Sequence, residues 1–327
     1  MTEARSEEAG RIRAAIVGAG TIGRSMALLF AAAGHPVSLY DPDATQRANA
    51  PDLIGRSLTD LASFGLLEQK ASEVLSRIRC SNSVEDAVSE AEFIHECGPE
   101  KREVKQAIFE RLDSCASAEA IIASASSAMS ISSFAGHLSI SSRCLIAHPA
   151  NPPFLLRVIE LVPAPFTSDE TLQKARLILE GVGLRTILVR KEIEGFVFNR
   201  LQGAVLREAY CLVRDGVVSV EEIDQLVRDG LGLRWSVVGP FETVDLNTVG
   251  GIEEHARRLG PAYARMGAER GQNDPWTSDL VEEVVAQRRA ALPIVDWPAR
   301  VAWRDRQIMA ALAGRSRPSK TQVEDVS

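Results

Sequence analysis

The chain has 327 residues, with 37 Lys and Arg against 44 Asp and Glu, a formal net charge of −7. An acidic balance spread over both halves lacks the electrostatic footprint of a nucleic-acid binder or a polybasic membrane anchor. Hydrophobic residues make up 45% of the chain, enough for two domain cores. The apolar runs fall short of the roughly 20 residues that cross a bilayer, and the opening MTEARSEEAGRIR has no apolar signal core, so a cytoplasmic location is expected. Cys80, Cys97, Cys115, Cys144 and Cys211 are scattered and never spaced CxxC, and no histidines stand as HxxxH. That pattern predicts free, apolar thiols and no metal.

The ends, residues 1–10 and 314–327, are polar and patternless and are expected to lie outside the fold. Between them the first half alternates short apolar runs with amphipathic stretches. Ala14–Val17, Val37–Tyr40, Phe93–Ile94, Ala120–Ala123 and Leu145–Ala147 read as brief buried strands. Helical patterns such as Thr21–Ala33 and Glu103–Cys115 follow them. This alternation predicts an α/β domain over residues 11–193, a doubly wound, mostly parallel sheet with helices on both faces. From about Gly195 the strand-like runs stop. Helical patterns take over at Phe196–Asp215, Val220–Asp229, Gly251–Leu259, Thr277–Ala291 and Pro298–Ala313, with Ser219 and Thr277 placed as N-caps before acidic residues. Residues 194–313 are expected to form an all-α domain.

Gly18-Ala19-Gly20-Thr21-Ile22-Gly23 follows the first apolar run and opens the first helical pattern. Strand, glycine loop and helix stand in the order of a dinucleotide-binding Rossmann domain. Gly18 suits a tight turn, Gly20 a close approach to a pyrophosphate, and Gly23 close helix–strand packing. The unpaired N–H groups of the helix start, from Thr21 and Ile22 on, would face the phosphates. Asp41 ends the next strand, where a carboxylate binds ribose hydroxyls and repels a 2′-phosphate, which favours NAD over NADP. FAD uses the same loop, so the loop alone does not name the chemistry.

Ser124–Ser127 follows one strand and His148 ends another, both at carboxyl edges where ligands lie in such sheets. Asn151-Pro152-Pro153 forces a turning, extended chain after His148. Glu160 sits in the apolar run Val158–Val162, where a carboxylate needs a partner. In this combination the sequence resembles the NAD-dependent 3-hydroxyacyl-CoA dehydrogenases. The likeness is carried by the Ser-rich segment, His148-Pro149-Ala150-Asn151-Pro152, Glu160, and Gly195-Phe196-Val197-Phe198-Asn199-Arg200. Gly230-Leu231-Gly232-Leu233-Arg234 and Gly239-Pro240-Phe241-Glu242-Thr243 resemble the lambda-crystallin and L-gulonate 3-dehydrogenase branch. Ala125, Ser126, Pro149 and Ala150 depart from the pattern common in acyl-CoA members.

The resemblance implies that His148 is the base, that Glu160 fixes its tautomer, and that Ser127 and Asn199 hold the substrate oxygen, with Asn151 alongside. It also implies that Glu100 and Lys105 lie near the nicotinamide ribose, although both also read as solvated helix charges. With Asn199 beyond the domain boundary, the site is expected between the domains. Arg200 or Arg234 would supply a guanidinium for a free carboxylate, which favours a small anionic 3-hydroxy acid of the L-gulonate type. A 3-hydroxyacyl-CoA substrate is the alternative, with Arg47, Arg56, Lys70, Arg77 and Arg79 as phosphate ligands. A crystallin-like structural protein or an NAD-binding regulator is the alternative of a different class. The family also implies a homodimer through the helical half.

Overall fold

The structure is a computed structural model that describes residues 10–249, 251–270, 278–291 and 293–316. The chain divides into two compact units. One runs up to Arg200 and includes the chain again from Ala302, and the other spans Leu201–Val301.

The first unit is built on one eight-stranded sheet. Its strands are β1 (Ala14–Val17), β2 (Val37–Tyr40), β3 (Ile78–Cys80), β4 (Phe93–Glu96), β5 (Ile121–Ser124), β6 (Cys144–Pro149), β7 (Val158–Pro163) and β8 (Arg185–Leu188). They stand in the order β3-β2-β1-β4-β5-β6-β7-β8, all neighbours parallel except β6 and β7. Alternate residues of β1 serve opposite faces. Ala14 and Ile16 join one buried apolar cluster, Ala15 and Val17 the other, as a period of two in a sheet covered on both sides requires. The strand order reverses between β1 and β4, which makes their carboxyl ends the switch point of the sheet.

The expected α/β architecture is present, and three strands add to it. β3 is short and half-buried, the run around Glu160 is the antiparallel strand β7, and β8 is mostly exposed, so none shows the continuous apolar signal of a central parallel strand. The helix Ala44–Ser63 also escaped the periodicity reading because Pro51 lies inside it. Asp43 caps its start, and the Arg47 carbonyl, which Pro51 cannot serve for want of an N–H, accepts from the Cys80 thiol at 3.5 Å. Cys144 and Cys211 are buried, the other three cysteines are half-buried, and none of the five is in a disulfide.

The second unit is helical. Ser219 and Glu222 form the capping box of Val220–Leu226. That helix stops short of the expected Asp229 and passes into a π-helical turn, Val227–Gly232, carrying Gly230 and Gly232. Pro240–Leu246 begins with proline in its first turn, Gly251–Arg270 runs a further three turns beyond the expected end, and Ser278–Ala291 follows. The proposed cap Thr277 lies outside the described residues. The last helix, Trp297–Ser316, corrects two expectations: it continues through Gly314, and from Ala302 it returns to the first unit, where Met309 is buried in the same cluster as Ile16. Among the described residues, no helix is long and apolar enough to cross a membrane, and no group of three or more side chains has the makings of a metal site.

Candidate active site

The glycine loop leaves the end of β1 with Gly18 at φ 114°. A side chain at Gly18 would meet the Cys97 carbonyl at 2.6 Å, because the segments after β1 and β4 touch at the switch point. A Cβ on Gly23 would come within 1.8 Å of the Gly18 carbonyl, so the helix Thr21–Ala32 packs against the loop only if residue 23 has none. At Gly20 a Cβ would face open space, and the helix start carries no side-chain cap. Its first N–H groups, from Thr21 and Ile22, thus lie beside an open approach, the arrangement a pyrophosphate requires. Asp41 accepts from the Ala19 amide at 2.7 Å and the Asp43 amide at 2.9 Å, which fixes the carboxylate beside the loop. The residues present fit a dinucleotide.

The second constellation sits at the carboxyl ends of β4, β5 and β6. His148 and Glu160 are cross-strand partners in the antiparallel β6–β7 pair, and Nδ1 of His148 lies 2.8 Å from Oε2 of Glu160. Both are buried. The other carboxylate oxygen of Glu160 accepts from the Val197 and Phe198 amides at 2.8 and 2.9 Å. Burial alone would raise the Glu160 carboxyl, but the hydrogen bonds from His148 and these two amides outweigh it and leave it below the usual carboxylate range. With Glu160 a carboxylate, Nδ1 carries the proton and Nε2 presents its lone pair.

The two amides reach Glu160 because the chain turns sharply before the helix Phe198–Arg214. Gly195 and Phe196 both have positive φ, 72° and 49°. A left-handed phenylalanine is strained, and full burial of its ring 5.7 Å from the His148 ring holds it there. Phe198 packs on the same imidazole edge-on, with ring centroids 6.4 Å apart.

Asn199 Nδ2 donates to the Ser127 carbonyl at 2.9 Å, which joins the Ser-rich loop to the start of this helix. Glu100 holds the other side of that loop. One of its oxygens accepts from the Ser126 hydroxyl at 2.6 Å and from the Ser127 and Ala128 amides at 3.0 and 3.1 Å. Burial opposes the charge on Glu100, but the Ser126 hydroxyl, Lys105 and the amides prevail and hold its carboxyl low. Lys105 corrects the alternative of a solvated helix charge. It is buried, 2.8 Å from Glu96 and 3.8 Å from Glu100. Glu96, absent from the sequence reading, also accepts from the Ser124 hydroxyl at 2.5 Å and the Gly98 amide at 2.6 Å. Its signal was the one that marked Glu160, a carboxylate within an apolar strand.

His148, Glu160, Ser127 and Asn199 all belong to the first compact unit, where the sequence reading had placed Asn199 beyond the boundary. Asn151 and Arg200 are exposed in this unit, and Arg234 belongs to the second. Of the basic residues considered for CoA phosphates, three have internal partners. Arg47 donates to the Asp41 carbonyl, Arg77 to the Ala31 carbonyl and Gln69, and Arg79 to Asp86.

The Homo sapiens lambda-crystallin homolog is 37% identical over 290 residues, covering 84% of this chain and 91% of its own. A Gibberella moniliformis 3-hydroxyacyl-CoA dehydrogenase is 35% identical over 314 residues, covering 93% and 94%. Among solved structures, 5-formyl-3-hydroxy-2-methylpyridine 4-carboxylic acid 5-dehydrogenase, an NAD+ dependent dismutase, superposes with a TM-score of 0.80 at 26% identity, covering 94% of this chain and 99% of that one. Residues 13–193 match the 3-hydroxyacyl-CoA dehydrogenase NAD-binding domain and residues 195–297 the C-terminal domain of the same enzymes. A fitted dinucleotide loop and two domain matches in register along the chain make NAD the cofactor and place this protein in the 3-hydroxyacyl-CoA dehydrogenase family.

Proposed function

We propose that the protein oxidises the 3-hydroxyl of a small, free 3-hydroxy carboxylate of the L-gulonate type, with His148 as general base. The observation that carries the reaction is the buried His148–Glu160 pair, whose remaining nitrogen, Nε2, is left to accept a proton. When bound, NAD supplies the acceptor for the hydride that leaves the carbinol carbon. Gly18, Gly20, Thr21, Ile22, Gly23 and Asp41 hold it. Nε2 of His148 takes the hydroxyl proton as the carbonyl forms, and Glu160 stabilises the imidazolium. The Ser127 hydroxyl and Asn199 orient the substrate oxygen, and Glu100 and Lys105 keep the Ser127 loop in place.

The free acid is favoured over a CoA ester because Arg47, Arg77 and Arg79 are engaged within the first unit. Arg200, exposed beside Asn199, is the guanidinium proposed for the carboxylate. A solved relative that acts on a pyridine carboxylic acid supports the same preference. The family description and the Gibberella relative support the ester. Purified protein with NAD and a panel of free 3-hydroxy acids and 3-hydroxyacyl-CoA esters decides by NADH absorbance, and turnover of the esters alone would sink the free-acid reading.

A homodimer through the helical unit is part of the proposal. Val237, Phe241 and Val295 of that unit are 82%, 77% and 79% exposed, apolar side chains that a second copy would cover. Light scattering tests it, and a monomer mass would refute it.

A further inference from the structure

The helical unit contains a cavity of about 490 Å³ that none of the chemistry above uses. That volume falls within the ~300–1,000 Å³ of small-molecule sites. Arg234, Arg258 and His255 all line it, together with Trp235 and Tyr263. Two guanidiniums on one cavity repel each other unless an anion or internal carboxylates compensate them. No carboxylate lines this cavity. Glu254, one helical turn before Arg258, pairs with Arg257 at 2.5 Å, and that hydrogen bond together with the charge of Arg258 holds its carboxyl low. Among the described residues, the side chains of Arg234 and Arg258 make no hydrogen bond or ion pair within 4 Å, and the His255 ring lies 6.0 Å from the Tyr263 ring.

A separate observation points into the same space. Thr243 lines the cavity, is 6% exposed, and its hydroxyl oxygen has no hydrogen-bond partner. A buried hydroxyl without a partner is unfavourable, and a ligand oxygen would supply the missing partner.

We propose that this cavity is a binding site for a small ligand bearing an oxyanion, carboxylate or phosphate. The Arg234 and Arg258 guanidiniums face its oxygens and the Thr243 hydroxyl donates to it. Planar guanidinium forks match either oxyanion. Trp235 gives the rest of the ligand an apolar wall. The site does not depend on the reaction proposed above, because it is read by binding in the absence of NAD and not by turnover.

The test is calorimetric titration of the full-length protein, without NAD, by gluconate, by inorganic phosphate and by neutral sorbitol. At least one of the two anions is expected to bind and sorbitol is not, and the stronger anion names the oxyanion. Arg258→Ala is expected to weaken that anion by about tenfold or more. Thr243→Val weakens it by a smaller factor and Thr243→Ser restores it. Arg258 is exposed, so its variant is expected to fold, and thermal melting of each variant checks this. Arg258→Gln serves as a second neutral variant. Binding of neither anion, sorbitol binding as well as gluconate, or an unchanged Kd in both Arg258 variants would each overturn the proposal.

Discussion

His148 and Glu160 stand directly opposite each other on β6 and β7, and the antiparallel register brings Nδ1 to 2.8 Å from Oε2. Glu160 is itself held from behind by the Val197 and Phe198 amides, so the imidazole is oriented by a carboxylate that cannot swing away. His148→Gln is expected to lower kcat by ~10²–10⁴ while NAD binding is kept. Glu160→Gln keeps a side-chain oxygen for the two amides but loses the charge, and a kcat loss of similar order is expected. Steady-state kinetics with NAD titrations check both, and an unaffected rate in the His148 variant excludes it as the base.

Asn199 acts on the Ser127 loop through one hydrogen bond of 2.9 Å. Replacing it by Ala frees the Ser127 carbonyl and removes an amide from the site. A fall in kcat of ~10²–10³ is expected, the scale of losing one preorganised donor. Melting temperature should change little, because Asn199 is only half-buried.

The two ends of the glycine loop predict opposite outcomes for the same substitution. Gly23→Ala drives a methyl into the Gly18 carbonyl at 1.8 Å, so the loop must deform and both melting temperature and NAD affinity fall. Gly20→Ala meets nothing in the protein and is expected to melt like the wild type. Its methyl obstructs the approach of the pyrophosphate, with a loss of about tenfold or more in NAD affinity. Equal NAD affinity in the Gly20 variant would move the cofactor away from this loop.

Lys105 and Glu96 are 1% and 0% exposed and 2.8 Å apart. Lys105→Met leaves a buried carboxylate with only the Ser124 hydroxyl and the Gly98 amide, and a destabilisation of about 3–5 kcal/mol is expected by denaturant unfolding. Adding Glu96→Gln to that variant should recover part of the loss, since the unpaired charge is then gone.

His95, fully buried on β4, donates through Nε2 to the Ala147 carbonyl, 3.0 Å away, while its Nδ1 has no partner. Burial first, and then nearby Lys105, push its pKa down to about 4, against the opposing pull of the Ala147 hydrogen bond. Between that value and the ordinary ~6.5 the unfolded chain binds a proton that the folded chain refuses, so stability falls as the pH is lowered through this window. Fully lost, the contribution is about 3 kcal/mol between pH 7 and pH 4. The wild type is expected to lose that amount of stability relative to His95→Gln as the pH falls through the window, and parallel pH profiles would refute it.

Much of the first unit is legible from periodicity because β1, β5 and β6 are buried, mostly apolar runs, which only a doubly covered sheet accommodates. Of the strands that escaped, β3 and β8 are short and partly exposed at the sheet's edges, and β7 is interrupted by Glu160. Ser127, His148 and Glu160 stood out by their residue types against apolar surroundings and by likeness to a family. Glu96 carried the same signature but matched none of the motifs compared.

The sequence by itself determined the local order: strand, glycine loop and helix at Gly18–Gly23, alternating elements up to Ala147, helices from about Gly195, and the family to which these motifs belong. These are properties of neighbouring residues, set by backbone sterics and by the spacing of apolar side chains. Only the tertiary structure decided that Glu160 faces His148, that Lys105 is buried against Glu96, that Asn199 joins the first unit, and that the last helix returns Met309 to its core. Each is a pairing between residues distant in the chain, and strand register and close packing choose such partners where local pattern does not.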